Sequence, residues 1–511
     1  MRRQTGSGSA DDERAVSRRE LLERSSSADG ESRHPAGGAL SRRTALRGLS
    51  VLVAGGVLGS TVAADEAHDE SHVPVPDIEG PIKGGARTGR AMSASVPDVG
   101  RYGYLEEEYL ISGTARGFGG ADDTAPYTTR IIGYRPVDRR EFDGTLVVNW
   151  PNVTEQTDVP FSWANKFDYA MRNGYAMAIA SVQKQGVDGS PLALQAWDPA
   201  RYTDISHPGD DYSFDMFSQA IQALRHRPRP SPDPLRGLNV RNVIACGISQ
   251  SANRLHDYID RVQEAHGVVD GFIPESIGPP ESADAIRDDL VPILWVNTET
   301  EVWFFGGSAT GEASDPRDDG GLFKLWEVAG ATHTNNYSMT FRDKMKQRDQ
   351  GNVASVGLDP EWNAEELRQY GERGGSECPY NLFPHQYATR AALEQVDRWV
   401  RTGQKPTGAP RIERENGDVK TDEFGNAVGG FRLPVIDVPI ARYEHDECSP
   451  MRGRTIQFDE ETLRALYPTK DDYLDELEAA VEDALGVGWL TATDAEYIRQ
   501  QARSSSVPET N

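Results

Sequence analysis

The sequence predicts an α/β fold with a mostly parallel central sheet, helices on both faces of that sheet and a helical appendage at the C-terminus. From about residue 100, apolar runs of strand length alternate with stretches of helix length, which is typical of parallel sheets covered on both faces. In addition, the apolar run 240–246 passes through a short turn containing Gly and Ser directly into helix-forming residues. Such a junction is common in sheets of this class.

Each predicted element follows from its own pattern. Residues 104–111 and 127–134 flank a glycine-rich loop and predict two early strands that pair antiparallel. Apolar runs predict five further strands, at 144–150, 175–182, 240–246, 292–296 and 323–328. Amphipathic stretches predict helices at 163–173, 214–225, 252–265, 387–400, 471–485 and 494–503.

Composition divides the chain into four predicted parts. Residues 1–64 comprise a polar, disordered N-terminus and an export signal, and residues 65–95, rich in charge, Pro and Gly, predict a linker. The alternating strands and helices occupy the predicted main domain, 96–445. Residues 446–511 predict an acidic helical C-terminal extension that caps this domain.

The export signal is predicted from a pair of arginines and the apolar run behind them. Arg42 and Arg43 precede residues 49–64, a run of 16 residues that is shorter than the about 20 needed to span a membrane. Small residues end the run, so the segment resembles a twin-arginine signal recognised by the twin-arginine translocase. We therefore expect an exported protein, extracellular or at the cell surface. The alternative is an uncleaved signal that anchors the chain to the membrane.

The charge balance excludes some partners. The 511 residues carry 54 Lys and Arg against 80 Asp and Glu, a formal charge of −26. Nucleic-acid binding is not expected, because affinity for the phosphate backbone comes largely from clustered positive charge. Only nine of the cations are Lys, and residues 1–64 hold ten Arg against seven acids, so the remainder carries −29. This composition predicts a halophilic protein that stays soluble in concentrated salt.

Three cysteines limit the covalent and metal chemistry of the chain. Cys246, Cys378 and Cys448 are too few for a disulfide framework or a thiolate metal cluster. At most one bridge can form, and Cys378 with Cys448 is the favoured pair. The sequence predicts no metal site and no organic cofactor.

The candidate nucleophile lies in the sequence CGISQSA, residues 246–252. A strand that turns into a helix through Gly-x-Ser-x-small presents the serine hydroxyl at the tip of a strained turn. Small residues are needed at Gly247 and Ser251, because the backbones approach closely there. The pattern predicts Ser249 as the nucleophile. The alternative is a serine in an ordinary strand-to-helix turn, or a helix N-cap.

A serine hydroxyl needs a general base, and the base needs an acid that orients it. The strand 292–296 runs into two glutamates, and the usual strand and loop lengths favour Glu301 over the second choice, Glu299. The strand 323–328 runs into His333, the candidate base. The alternatives are a solvated loop charge for either glutamate and a hydrogen-bonded loop histidine for His333.

Two more histidines follow the candidate acid. His385 stands behind a proline near a helix start, and His445 lies in the sequence YEHDEC. We expect both at the surface or in supporting positions around the site.

Negative charge that develops on a substrate oxygen needs two backbone donors. The first predicted donor is the N–H of Gln250, directly after the nucleophile. The second is expected in the region of Asn152 and Val153, which follows an early strand. Asn152 begins a glycosylation sequon, as does Asn336, but a glycan at Asn152 would obstruct the site, so a structural role is favoured there.

Five stretches together resemble one family. They are GTLVVNWPNVT, CGISQSANR, PILWVNTETEV, EVAGATH and GNAVGGFRLPVIDVPIARY. They are similar to the α/β-hydrolase superfamily, and more narrowly to its "alpha/beta hydrolase domain" proteins, over roughly residues 100–445. The resemblance implies the α/β-hydrolase fold, Ser249 as nucleophile, His333 as base and an acid within 298–301. Ser251 departs from the family, where glycine is common.

These observations predict a secreted serine hydrolase that cleaves carboxylic esters through a Ser-His-Glu triad and an acyl-enzyme. The expected partners are a small or polymeric ester substrate and, during export, the translocase. One alternative is a non-catalytic binding module at the cell surface, built on a hydrolase scaffold. A peptidase or another acyl-transfer enzyme is the other alternative.

Overall fold

The computed structural model describes residues 73–507 except 88, 119–122, 227–231, 279–285, 304–316, 352–379, 447–448 and 506. The described residues belong to one compact unit. The predicted export signal, Cys378 and Cys448 lie outside them. In the part of the chain that is described, no helix is long and apolar enough to cross a membrane.

In the part of the chain that the structure describes, nine strands form the central sheet. They are β1 (Asp77–Glu79), β2 (Tyr104–Arg116), β3 (Thr124–Pro136), β4 (Thr145–Asn149), β5 (Ala176–Ser181), β6 (Asn242–Ile248), β7 (Gly271–Glu275), β8 (Ile293–Thr298) and β9 (Phe323–Val328). Their spatial order is β1-β2-β3-β5-β4-β6-β7-β8-β9. The pairings from β1 to β5 are antiparallel, and all those from β5 to β9 are parallel. The predicted mostly parallel sheet is confirmed.

Helices cover both faces of the sheet. They are α1 (Phe161–Arg172), α2 (Lys184–Val187), α3 (Leu194–Trp197), α4 (Ser213–Arg225), α5 (Gln250–Arg261), α6 (Gln263–His266), α7 (Asn336–Gln350), α8 (His385–Thr402), α9 (Pro434–Asp437), α10 (Glu460–Leu466), α11 (Lys470–Val487) and α12 (Ala492–Ser504). Within β4, Val147 packs in one apolar core with α1 and α8, whereas Leu146 and Val148 pack in a second core with α4 and α5. This alternation is why consecutive residues in the middle of β4 are all apolar.

The sequence did not predict several elements of the structure, including β1, which lies inside the predicted linker 65–95, and β7 and α7 of the main domain. Strand β7 has only five residues and contains Pro274, so its pattern is too short to indicate a strand. Helix α7 lies where the sequence predicts no helix, because its sequence is mostly polar. The Asn335 side chain caps it by accepting a hydrogen bond from the Ser338 N–H.

The C-terminal part of the chain packs closely on the rest. A hairpin of β12 (Ala441–Asp446) and β13 (Ser449–Gln457) precedes the last three helices, and a smaller hairpin joins β10 (Arg414–Glu415) to β11 (Asp418–Val419). The predicted start of the extension, residue 446, falls inside the first hairpin. The two predicted C-terminal helices are present as α11 and α12, whereas α10, which precedes them, was not predicted. The segment from residue 467 onward enters the first core through Tyr467, Tyr473, Leu477, Val481, Ala495 and Ile498.

Candidate active site

The predicted site residues meet at the carboxyl edge of the parallel strands. Ser249 directly follows β6, and Glu301 and His333 follow β8 and β9 within a few residues. Because β6, β7, β8 and β9 are parallel neighbours, their carboxyl ends lie along one edge of the sheet. Ligands of open α/β sheets bind at such an edge.

The turn at Ser249 has the strained geometry that the sequence predicts. Ser249 has φ +58° and ψ −123°, a conformation that a residue other than glycine seldom adopts. A Cβ at Gly247 would lie 3.0 Å from the Ser251 carbonyl oxygen, closer than ordinary van der Waals contact, so glycine is favoured there. The fully buried Ser251 hydroxyl accepts from the Ile248 N–H and donates to the Ile248 carbonyl, both at 3.0 Å. Serine therefore fits the position where the family commonly has glycine.

Ser249, His333 and Glu301 are hydrogen-bonded in series. The Ser249 Oγ lies 3.0 Å from His333 Nε2, and His333 Nδ1 lies 2.5 Å from Glu301 Oε1. An ionised Glu301 can only accept, so Nδ1 donates to it and Nε2 is left to accept from the Ser249 hydroxyl. The arrangement matches the relation of nucleophile, base and orienting acid.

Glu301 is fully buried and is held by a second pair of donors. Its Oε2 accepts from the Thr298 N–H at 2.8 Å and from the Thr298 hydroxyl at 2.5 Å. Burial alone raises the pKa of Glu301, but the electrostatic interaction with His333 and the hydrogen bonds from His333 and Thr298 outweigh it, so the pKa is lowered overall. The carboxylate therefore stays ionised beside the imidazole.

Acid is expected to remove the stability that Glu301 contributes. Because its pKa is lowered on folding, this contribution is present above the unfolded value of about 4.3 and is lost as the pH falls through the folded pKa. The free energy of unfolding in urea should therefore differ most between wild type and Glu301→Gln at neutral pH. That difference should shrink below about pH 4. A difference that grows in acid would contradict the assignment of an ionised Glu301.

Glu299 does not contact the His333 ring in any hydrogen bond of the structure. Its Oε2 accepts from the Gly330 N–H at 2.7 Å, and its Oε1 lies 3.3 Å from His445 Nδ1. Of the two glutamates that the sequence leaves open, Glu301 is the one beside His333.

The two regions predicted to hold a substrate oxygen also meet. The Val153 N–H donates to the side-chain Oε1 of Gln250 at 3.2 Å. The N–H of Asn152, in contrast, is already engaged by the Val159 carbonyl at 3.0 Å. Gln250 in turn donates through Nε2 to Gln183 at 2.7 Å. Of the two residues, Val153 is therefore the one whose N–H faces the turn at Ser249. Gln183 is a neighbour that the sequence did not indicate.

A buried ion pair lies behind the turn at Ser249. Lys166 Nζ is 2.6 Å from Glu275 Oε1 and 2.9 Å from Ser162 Oγ, and all three residues are fully buried. The Glu275 carbonyl accepts from the Ser249 N–H at 2.8 Å. Removing one partner of such a pair leaves an uncompensated charge, so the pair ties the turn to α1. A single Lys on an amphipathic helix gives no signal of this role.

The remaining candidates take other positions. His385 is not at the surface as the sequence allowed; it is fully buried at the start of α8, and burial lowers its pKa to about 4. His445 is half-buried beside Glu299. The sequon residues Asn152 and Asn336 are 4% and 3% exposed, which leaves no room for a glycan on the folded chain. Among the described residues, no group of three or more His, Cys, Asp or Glu is arranged to hold a metal ion.

Comparison with known proteins identifies the family. A family model described as "Alpha/beta hydrolase domain" matches residues 78–500. No curated protein matches the chain. Several solved structures are similar. Esterase Est22 is 11% identical over 49% of this chain and 80% of its own, with a TM-score of 0.27. Brefeldin A esterase, a bacterial homologue of human hormone sensitive lipase, is 10% identical over 40% and 64%, with a TM-score of 0.24.

A third similar structure, provisionally named dienelactone hydrolase, comes from Klebsiella pneumoniae subsp. pneumoniae. It is 12% identical over 51% of this chain and 95% of its own, with a TM-score of 0.24. At these values, the solved structures give no argument about substrate. The family model spans far more than half of the chain, and it confirms the resemblance drawn from the sequence. The chain therefore belongs to the alpha/beta hydrolase domain family, and the protein is a hydrolase.

Proposed function

We propose that the protein is a serine hydrolase that cleaves carboxylic esters through an acyl-enzyme on Ser249. The observation that carries the proposal is the series of hydrogen bonds from Ser249 through His333 to the buried Glu301. A serine at the tip of a strained turn, with a base and an orienting acid in line, is the arrangement that acyl transfer needs.

Acylation begins when the Ser249 Oγ attacks the carbonyl carbon of the ester. His333 Nε2 takes the hydroxyl proton as the new C–O bond forms, and Glu301 stabilises the imidazolium. The negative oxygen of the tetrahedral intermediate accepts from the N–H groups of Gln250 and Val153. His333 then gives its proton to the departing alkoxide, which leaves as the alcohol.

Deacylation repeats these steps with water. His333 deprotonates a water molecule that attacks the acyl carbon, and the same two N–H groups hold the second tetrahedral oxygen. Collapse of this intermediate breaks the bond to Ser249 Oγ, which recovers its proton from His333, and the carboxylic acid leaves. The cycle uses only groups of this chain and one water.

The test compares esters with amides in concentrated KCl. We expect the protein to hydrolyse a short-chain p-nitrophenyl ester and Ser249→Ala to lose that activity. Circular dichroism should show that both proteins are folded. Equal turnover by the variant would overturn the mechanism. Faster cleavage of a matched p-nitroanilide would favour the peptidase alternative, and no turnover of either substrate would favour a non-catalytic binding module.

The Gln250 side chain offers a separate prediction. The Val153 N–H donates to Gln250 Oε1, so a substrate oxygen that accepts from this N–H has to displace Oε1. Since a hydrogen bond contributes about 0.5–1.5 kcal/mol net, we expect Gln250→Ala, which keeps its backbone N–H, to lower KM about 2-fold to 10-fold. Gln183→Ala, which only removes the support of Gln250, should lower KM less. A higher KM in Gln250→Ala would show that Oε1 does not compete with substrate.

We also propose that the twin-arginine translocase exports the protein and that it works in concentrated salt. The arginine pair at residues 42–43 and the charge of −29 without residues 1–64 support this. Screening of repulsion between carboxylates is expected to raise the unfolding midpoint in molar KCl. An unfolding midpoint that falls with added KCl would contradict the proposal that the protein works in concentrated salt.

Export that survives replacement of both arginines by lysine would contradict the proposal that the twin-arginine translocase exports the protein.

A further inference from the structure

Three segments meet around His333. We call residues 298–301, at the end of β8, the acid loop and residues 329–334 the histidine loop. The paired strands β12 (Ala441–Asp446) and β13 (Ser449–Gln457) are the C-terminal hairpin. The acid loop and the histidine loop leave neighbouring parallel strands, β8 and β9. The C-terminal hairpin comes from a part of the chain more than 100 residues later, so its contacts with the histidine loop are not imposed by sequence proximity.

The acid loop holds the histidine loop through more than Glu301. The Gly330 N–H donates to Glu299 Oε2 at 2.7 Å, and the Glu299 N–H donates to the Ala331 carbonyl at 3.0 Å. The His333 N–H donates to Thr300 Oγ1 at 3.2 Å. Three consecutive residues of the acid loop therefore fix the backbone or the ring of the histidine loop.

The C-terminal hairpin holds the residues on both sides of His333. The Thr332 hydroxyl donates to the Arg452 carbonyl at 3.0 Å, and the Thr334 N–H donates to the Met451 carbonyl at 2.8 Å. The approach is so close that a Cβ at Gly453 would lie 2.6 Å from Thr332 Cγ2. The hairpin therefore packs directly against the histidine loop.

Glu299 and His445 join the acid loop to the C-terminal hairpin. Glu299 Oε1 lies 3.3 Å from His445 Nδ1, and His445 Nε2 lies 3.5 Å from Asp418 Oδ1. The His445 ring stacks on Trp303, with 4.1 Å between the ring centroids. Burial lowers the pKa of His445, but Glu299, Asp418 and Glu444 outweigh it and raise the pKa overall. A buried carboxylate such as Glu299 needs a partner of this kind, because leaving it unpaired is costly.

We propose that Glu299 is a positioning residue for His333, and that His445 of the C-terminal hairpin holds Glu299 in place. The proposal rests on the proposed function, since it concerns the base of that reaction. Glu299 contacts the turn before His333 and not the ring, so it acts through the histidine loop. His333 has to lie 3.0 Å from Ser249 Oγ and 2.5 Å from Glu301 at the same time. A misplacement of about 1 Å in such a site costs up to about 100-fold in rate.

The test is a set of variants assayed for kcat and KM on the same ester. Glu299→Ala should lower kcat about 10-fold to 100-fold, with KM changed less than about 2-fold. Glu299→Gln keeps an acceptor for the Gly330 N–H and should stay within about 3-fold of wild type. His445→Phe keeps an aromatic ring on Trp303 but loses the hydrogen bond to Glu299, and should lower kcat about 3-fold to 10-fold.

A double variant shows whether Glu299 and His445 affect kcat through their mutual contact or independently of each other. If both residues act through their contact, Glu299→Ala with His445→Phe should be no slower than Glu299→Ala alone. Multiplicative losses would contradict the role given to His445.

Asp397→Ala is the matched control. Asp397 is a buried carboxylate at the opposite, amino end of the strands, where it accepts from the hydroxyls of Thr145 and Tyr175. Its loss should lower the Tm without changing kcat, so a slow Glu299→Ala cannot be attributed to general loss of stability. If Glu299→Ala does not fold, the kcat of His445→Phe alone tests the positioning role.

Two outcomes would overturn parts of the account separately. A wild-type kcat in Glu299→Ala overturns the positioning role and leaves the proposed function intact. If Glu299→Ala does not fold, a wild-type kcat in His445→Phe has the same meaning. Wild-type turnover in Ser249→Ala overturns the proposed function itself.

Discussion

Replacing His333 with alanine is expected to lower kcat for a carboxylic ester by roughly 10⁴-fold to 10⁶-fold, with a much smaller change in KM. The imidazole is the only group hydrogen-bonded to Ser249 Oγ among the described residues, at 3.0 Å from Nε2. Without it, nothing takes the hydroxyl proton as the new bond forms, and nothing returns a proton to the leaving alcohol. The residual rate comes from the oxyanion donors and from substrate binding, which the substitution leaves in place.

The measurement is initial-rate kinetics with a p-nitrophenyl ester, with His226→Ala as the control. His226 is an exposed histidine that follows α4, so its loss should leave kcat unchanged. Added imidazole should restore part of the activity of His333→Ala and none of that of Ser249→Ala. Wild-type kcat in a folded His333→Ala would remove this residue from the mechanism.

Replacing Glu301 with glutamine should lower kcat by about 10⁴-fold, although the side chain keeps its shape. The reason lies in the two donors of Thr298, both of which point at one carboxylate oxygen of Glu301. In the glutamine variant that position has to be taken by the amide oxygen, which leaves the NH₂ group facing His333 Nδ1. Nδ1 must then accept, the proton moves to Nε2, and the ring can no longer accept from the Ser249 hydroxyl.

Glu299→Gln is the matched control for this variant. It makes the same chemical change two residues earlier, and Glu299 makes no hydrogen bond to the His333 ring. We expect its kcat to stay within about 3-fold of wild type, because glutamine still accepts from the Gly330 N–H. The reverse order, with Glu299→Gln the slower variant, would assign the acid to Glu299.

The strands that carry the site are those that sequence patterns predict best. Strands β4, β6, β8 and β9 are largely buried, so each is a short, mostly apolar run with a clear end. The residue types behind those ends indicate the chemistry. Strand β7 lacks such a run because Pro274 interrupts it. Helix α7 is mostly polar and begins at a side-chain cap, which a search for apolar periodicity does not detect.

The finer parts of the site depend on contacts between distant segments. Sequence spacing favours Glu301, but only the turn at Thr298 shows which glutamate faces His333. By sequence position, the N–H of either Asn152 or Val153 could face the turn at Ser249. The structure distinguishes them, because the Asn152 N–H donates to the Val159 carbonyl. His445 lies 112 residues after His333, and no local pattern connects it to Glu299. In a chain with 80 acidic residues, an isolated glutamate carries little information until its partners are known.

The most direct test of the central claim is to find the atom that forms the covalent bond. The folded protein in concentrated KCl would be treated with a fluorophosphonate, digested and examined by peptide mass spectrometry. We predict one adduct, on Ser249, absent from Ser249→Ala and formed far more slowly in His333→Ala. No adduct on the folded wild-type protein, or an adduct on a different residue with Ser249 unmodified, would contradict the account.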